Sequence, residues 1–301
     1  MKNILIIGGT GFLGGAVTRR LAKADFPGEH RPAPDYRITL PTRRPEYAKY
    51  LSVLPNVQIV TTNVHDEAQL ARLMVGQDAV ISMVGILKGN FQRAHAELPG
   101  KIGRAAQAAG VRRLLHISAL AAAADAPSRY LKSKAAGEAA LKAAYPEATI
   151  FQPSVIFGRG DSFMTLFAGL LKLAPIVPLA CDDARFQPVW VEDVVSAIIA
   201  SLDHPESQGQ TYPLCGPREY SLRELVAYAG EVSGHPRPII GLPFAFSILQ
   251  AFLMEFLPKG PMTRDNVWSM QVPSVCPAGC TLPFGLQATP LEAVAPGYLA
   301  G

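Results

Sequence analysis

Tyr130 and Lys134 stand four positions apart in the stretch SRYLKSKAAGE. On a helix that spacing is about one turn, so the phenol and the ammonium share a face. An ammonium beside a phenol favours the phenolate and draws its pKa down from about 10 toward the working range. Such a pair can serve as a general acid–base, a role worth about 10²–10⁴-fold in rate. The same side chains can equally hold the hydroxyls of a ribose without any turnover. Upstream, Ser118 ends the apolar run RLLHIS. Tyr130 and Lys134 are therefore candidate catalytic residues and candidate cofactor contacts.

A second constellation supplies a place for that cofactor. The run NILIIG stops at GGTGFLGG, where Gly8, Gly11 and Gly14 fall at a strand-to-helix turn. The first glycine permits the tight turn, the second lets backbone approach a pyrophosphate, and the third lets the helix pack close to the sheet. Amides at the helix start then face the phosphates. Gly8, Thr10, Gly11, Phe12, Leu13 and Gly14 are the candidate contacts here. The second strand ends in PTRRPE, with Arg43 and Arg44 and no carboxylate before Glu46. Arginine beside the ribose suits an added phosphate by bidentate hydrogen bonding, so NADP(H) is expected in preference to NAD(H). Asn63 and Val64 after the third strand, Val84 and Gly85 after the fourth, and Pro153 at the sixth complete the expected cofactor contacts.

The elements that must position these residues alternate along the chain. Strand-like runs NILIIG, RITLPT, VQIVTT, DAVISMVG, RLLHIS and TIFQPS are separated for the most part by helical patterns such as DEAQLARLMVG and LPGKIGRAAQAAG. This alternation predicts an α/β fold, a Rossmann-like doubly wound parallel sheet. The connection DFPGEHRPAPDY, residues 25–36, is long and proline-rich and is expected to be an exposed loop. After residue 155 prolines and loops become denser. The expected organisation is a nucleotide-binding domain over 1–155, with 189–216 returning to it. A small, mostly helical C-terminal substrate or partner domain is expected from 156–188 and 217–301.

Bulk properties narrow the classes. The formal charge of +4 over 301 residues, without a run of like charges, gives no footprint for nucleic acid. The four cysteines, Cys181, Cys215, Cys276 and Cys280, lack a zinc-binding pattern, so no metal is expected and they read as reduced thiols. No targeting segment is visible, which suggests a cytoplasmic protein. The longest apolar stretch, FAFSILQAFLMEFL at 244–257, lies between prolines and is too short to span a bilayer. It reads either as a buried helix or as one lying on a membrane or partner, which would make the protein peripheral on the inner face of the membrane. The polar groups best placed for a substrate in the second half are Arg185 and Gln187; His116 reads as a core histidine.

GGTGFLG, HISAL, SRYLKSKAAGE and PSVIFGRGDSF together resemble the atypical branch of the short-chain dehydrogenase/reductase superfamily, with its epimerase- and dehydratase-like members. RFQPVWVEDV, MTRDNVWSM and FGLQATPLEAVAPGYL narrow the resemblance to the NAD(P)H-binding accessory subunit of respiratory complex I and its bacterial relatives. The resemblance implies a Rossmann domain with a small C-terminal domain and tightly held NADP(H). It also implies that Tyr130 is the acid–base, that Lys134 holds the ribose, and that Ser118 orients a carbonyl. Two positions depart from the superfamily pattern: His95 stands where an asparagine often supports a proton relay, and Met83 and Val84 stand beside the expected nicotinamide. Three readings follow. The chain is an accessory or assembly factor tied to complex I or membrane quinone metabolism, or an active NADP-dependent reductase or epimerase on an apolar carbonyl substrate, or a redox-sensing binding protein.

Overall fold

The computed structural model describes residues 2–22, 36–257, 260 and 262–300. The proline-rich connection expected to be an exposed loop falls, except for Tyr36, outside these residues. The chain divides into two compact units, one of residues 1–118, 133–152 and 194–212 and one of 119–132, 153–193 and 213–301.

The first unit is built on β1 (Lys2–Ile7), β2 (Tyr36–Thr42), β3 (Val57–Thr61), β4 (Ala79–Ser82), β5 (Arg113–Ile117) and β6 (Thr149–Pro153). With β11 (Thr211–Leu214) they form one seven-stranded sheet in the order β11-β6-β5-β4-β1-β2-β3. The described ladders from β3 to β6 are parallel. Ile4, Leu5, Ile6 and Ile7 of β1 are all buried, as a central parallel strand covered on both faces requires. Every strand read from the sequence in this half is present, and the chain is a Rossmann-like α/β fold.

Helices α1 (Phe12–Leu21), α2 (Glu67–Met74), α3 (Leu98–Ala108) and α4 (Arg129–Ala144) cross between strands, and α6 (Val191–Asp203) precedes β11. On one face Leu5, Ile7, Val80, Leu114 and Ile150 from the sheet pack with Leu70, Met74, Leu98, Ile102 and Leu141 from α2, α3 and α4, and with Tyr145 just after α4. Strand residues pointing to one side alternate with period two. Ser82 on β4 and His116 on β5 therefore continue the same face as Val80 and Leu114, toward the strands' C-terminal ends.

The second unit has a separate core. Phe157, Met164, Leu171, Leu179, Tyr220, Leu225, Val226, Ala251, Leu291 and Leu299 are buried together. Short ribbons pair β7 (Ile156–Phe157) with β10 (Val189–Trp190), β8 (Val177–Ala180) with β13 (Ile239–Leu242), and β9 (Arg185–Phe186) with β12 (Tyr220–Ser221). Helices α5 (Met164–Leu173), α7 (Leu222–Val232), α8 (Phe244–Glu255), α9 (Arg264–Ser269), α10 (Leu291–Val294) and α11 (Pro296–Leu299) complete it.

One expectation needs correction in this unit, and two readings left open by the sequence are narrowed. Cys215 and Cys276 are not reduced thiols; they form a disulfide across 61 residues of sequence. Gln187 bridges the same two segments: its amide donates to Gly216 O at 2.7 Å and accepts from Cys276 N at 2.9 Å. Gln187 is thereby spent on holding two backbone segments, and Arg185 is spent on Glu219 at 2.6 Å, so neither is a polar group awaiting a substrate. Of the two readings open for α8, the buried one does not hold. Phe246, Leu249 and Leu253 are half or more exposed, and only Ser247 and Ala251 are fully covered.

Candidate cofactor and catalytic site

In a doubly wound sheet the ligand crevice opens beyond the strand ends where the strand order reverses. Here that point lies between β1 and β4. The turn after β1 holds Gly8 at φ 89°, a left-handed conformation glycine adopts without strain. A Cβ on Gly8 would come within 2.8 Å of the Met83 carbonyl, in the turn after β4. A Cβ on Gly14 would sit 2.2 Å from Gly8 O. The two glycines thus let the turn close on itself and on its neighbour.

Gly11 is the N-cap of α1, which has no side-chain cap and no acidic residue in its first turn. Its leading amides fall at the positive end of the helix dipole. Thr10, Phe12 and Leu13 are partly exposed around this turn. The residues present fit a diphosphate: an uncapped helix start, in a cradle that any added side chain would fill.

The remaining cofactor candidates follow the C-terminal ends of β2, β3 and β4. Arg43 and Arg44 follow β2 and are exposed, and the Arg44 guanidinium lies 5.9 Å from the Tyr47 ring centroid. Asn63 follows β3 and its Oδ1 accepts from His65 N at 3.2 Å. Val64 and Val84 rest on the core cluster beneath, and Gly85 is exposed. Burial first, then the charges of Arg93, Arg43 and Lys101, hold the His65 pKa below its ordinary value, so the surroundings of His65 are cationic.

Ser118 follows β5 and is 4% exposed, yet its Oγ has no hydrogen-bond partner among the described residues. A buried hydroxyl without a partner costs about 1–3 kcal/mol, and a cofactor or substrate oxygen would relieve that cost. Lys134 is buried and its Nζ donates to Ile117 O at 3.1 Å. Burial lowers its pKa to about 8, against a smaller opposing pull from Glu138. His116 is only partly satisfied: Nδ1 lies 3.2 Å from Ser82 Oγ, and Nε2 has no partner among the described residues.

Tyr130 and Lys134 occupy successive turns of α4. The expected depression of the phenol is corrected here. Desolvation pushes the Tyr130 pKa up to about 12, and the amine that was to lower it is itself held back by burial. Tyr130 is therefore a protonated phenol across the physiological range.

Two residues unassigned in the sequence reading hold this helix. Asp265 of α9 caps the start of α4, accepting from Arg129 N at 2.8 Å and Tyr130 N at 3.0 Å. Its signal was the TRDN segment, but no local pattern links positions 135 residues apart. Ser133, between Tyr130 and Lys134, lies 3.1 Å from His95 Nδ1. Pro153, in the second unit, accepts from Leu120 N at 3.1 Å.

Comparison with known proteins places the family and the fold. The mouse protein named NADH dehydrogenase [ubiquinone] 1 alpha subcomplex subunit 9, mitochondrial, is 29% identical over 303 aligned residues, covering 95% of this chain and 77% of the mouse protein. A ceramide reductase of Caulobacter vibrioides is 31% identical over 80% of this chain and 73% of its own length. Among solved structures, the Escherichia coli NADPH-dependent quinone oxidoreductase complexed with NADPH superposes with a TM-score of 0.74 at 21% identity, over 97% of this chain and 98% of that one. The profile of the NAD(P)H-binding family matches residues 8–160, from the first glycine of the turn past the Ser118, Tyr130 and Lys134 set, and the chain belongs to that NAD(P)H-binding family.

Proposed function

We propose that this is an NADP(H)-dependent reductase of the short-chain dehydrogenase/reductase type that acts at a membrane surface on an apolar carbonyl compound, of the quinone or lipid-ketone class. The observation that carries the reading is the buried Ser118 hydroxyl without a partner, on the strand beside the Lys134 amine. Bound NADPH would supply the hydride. Gly8, Gly11 and Gly14 hold the diphosphate, Arg43 and Arg44 the additional phosphate, and Lys134 the ribose. Ser118 donates to the substrate carbonyl, and Tyr130 gives its proton to the oxygen as negative charge develops there. A phenol held near pKa 12 is in the form that reduction needs, and an alkoxide is a stronger base still.

The second unit supports an apolar partner rather than a sugar. Among its described residues the outward face of α8 presents Phe246, Leu249 and Leu253, and Phe256 follows at its end. The three polar side chains of α8 are turned to intramolecular partners: Ser247 donates to Leu242 O at 3.1 Å, Gln250 donates to Pro178 O at 2.9 Å and Glu255 holds Arg264 at 3.0 Å. A protein interface carries about one hydrogen bond per 100–200 Å², and these side chains offer none outward. A lipid bilayer is the occupant this face fits. Trp268, packed on Phe244 at 5.2 Å, and Arg264, paired with Glu255 and lying over Phe252 at 5.0 Å, form an aromatic rim with little net charge.

The second reading, an accessory factor of respiratory complex I, is favoured by the mouse relative, whose likeness extends over 95% of the chain. One experiment separates the two. Purified protein is expected to bind NADPH more tightly than NADH, with Arg43→Ala narrowing the difference. It should also oxidise NADPH with a hydrophobic quinone or long-chain ketone, at a rate that Tyr130→Phe lowers by about 10²-fold or more. Tight NADPH binding with no turnover on any such compound would favour the accessory role. Absence of binding to both nucleotides would end both readings.

A further inference from the structure

A π-helical turn, Gln92–Glu97, leads into α3 and carries a histidine that the reaction above does not use. Such turns are rare and occur often at functional positions. His95 is 1% exposed, and its ring stacks on Phe91 with centroids 5.6 Å apart. Its Nε2 accepts from Ile86 N at 2.9 Å, in the turn after β4. A ring nitrogen that accepts carries no proton, so the neutral imidazole is protonated at Nδ1. That N–H points to Ser133 Oγ at 3.1 Å. Burial, and then the Lys134 ammonium, lower the His95 pKa to about 3, so the ring stays neutral in the cell.

The backbone of His95 makes a second attachment. A Cβ on Gly137 would lie 1.8 Å from His95 O, so α4 reaches the π-turn only because position 137 is glycine. Tyr130, Ser133, Lys134 and Gly137 follow the spacing i, i+3, i+4, i+7, a single stripe of α4. The stripe that carries the phenol and the amine is therefore docked on His95 through Ser133 and Gly137.

We propose that His95 is a positioning residue, an imidazole bridge that fixes the turn at Met83–Ile86 against the Tyr130 and Lys134 face of α4. The inference rests on the cofactor reading above, in which the nicotinamide end of NADPH lies by that turn. His95 stands where the superfamily often places an asparagine that supports a proton relay. Here the ring's two nitrogens are both engaged, Nε2 by the Ile86 amide and the Nδ1–H by Ser133 Oγ. The ring orients the turn and the helix with respect to each other.

The test measures binding of NADPH and of 2′,5′-ADP to folded wild type, His95→Leu, His95→Gln and Ser133→Ala. Leucine keeps apolar bulk and loses both bonds; glutamine keeps one donor and one acceptor. The expected result is that His95→Leu weakens NADPH by about tenfold, the equivalent of one buried hydrogen bond, while His95→Gln recovers most of the loss. Binding of 2′,5′-ADP, which lacks the nicotinamide, should be unchanged, a separation that general loosening of the fold would not produce. Ser133→Ala should weaken NADPH severalfold, and adding it to His95→Leu should cost little more, as coupled partners do. Should His95→Leu fail to fold, Ser133→Ala and His95→Gln carry the same comparison. Wild-type affinity for NADPH in His95→Leu or Ser133→Ala, or equal loss for both ligands, overturns the inference and leaves the cofactor reading standing. Wild-type protein that binds neither ligand overturns both.

Discussion

Lys134 carries a measurable cost. Its side chain is buried, and its pKa falls from 10.5 to about 8, with desolvation the leading cause. Below pH 8 both folded and unfolded chains hold the proton, and folding bears the full cost of burying an ammonium. Between about 8 and 10.5 the unfolded chain binds more protons than the folded one, so stability rises with pH. The shift corresponds to about 3 kcal/mol for this residue. In nucleotide-free protein, Lys134→Met should therefore be more stable than wild type at pH 7.5, and its advantage should shrink toward zero at pH 10. Urea midpoints of the two proteins at both pH values measure this, and a constant difference would contradict the burial assigned to Lys134. Such a residue is retained against stability, which is understandable where its ammonium has a ligand to meet. The identities of Ser118, Tyr130 and Lys134 were legible because their spacing is local. Their electrostatics were not. The expected fall of the Tyr130 pKa reasoned from one neighbour, whereas desolvation by burial dominates.

At the scale of elements, α4 is held by contacts that its own sequence does not announce. Asp265 caps its start and His95 O abuts its middle at Gly137. Gly137→Ala is ordinarily favourable inside a helix, by roughly 0.5–1 kcal/mol. Here the added methyl meets backbone, which cannot swing aside, so overpacking should outweigh propensity and destabilise by about 1–3 kcal/mol. A thermal melt of Gly137→Ala at or above the wild-type midpoint would refute that packing. The disulfide makes a second element-scale prediction. Closing a loop of 61 residues restricts the unfolded chain by about 4 kcal/mol in the chain-entropy estimate. Non-reduced protein should unfold at higher denaturant than protein treated with dithiothreitol, while Cys215→Ser/Cys276→Ser should show no response to reductant. The six strands of the first half were readable because buried parallel strands appear as short apolar runs ending at turns. The short ribbons and the Cys215–Cys276 link were not, since two-residue strands have no period and the link joins cysteines distant in sequence.

For the molecule as a whole, the question is how an apolar surface and a nucleotide site serve one activity. Among the described residues no helix is long and apolar enough to cross a membrane; the proposal lays the exposed apolar face of α8 in the membrane interface. Its apolar run was plain in the sequence; its exposure was not, because a run without strong periodicity looks the same buried or bare. The charges along its rim largely cancel: Arg264 pairs with Glu255 at 3.0 Å and Arg129 with Asp265 at 3.7 Å. Attachment should then depend on apolar burial, on the order of 1 kcal/mol for each half-exposed phenylalanine or leucine, and little on anionic headgroups. Flotation with phosphatidylcholine vesicles should recover the protein at low salt and at about 0.5 M salt alike, since screening acts on exposed charges and not on hydrocarbon contact. Phe246→Glu with Leu253→Glu should abolish flotation, leaving NADPH affinity unchanged. Binding that requires anionic lipid and vanishes with salt would place the attraction in the basic residues instead. Failure to float on any vesicle, with retention by purified complex I, would assign the same face to a protein partner.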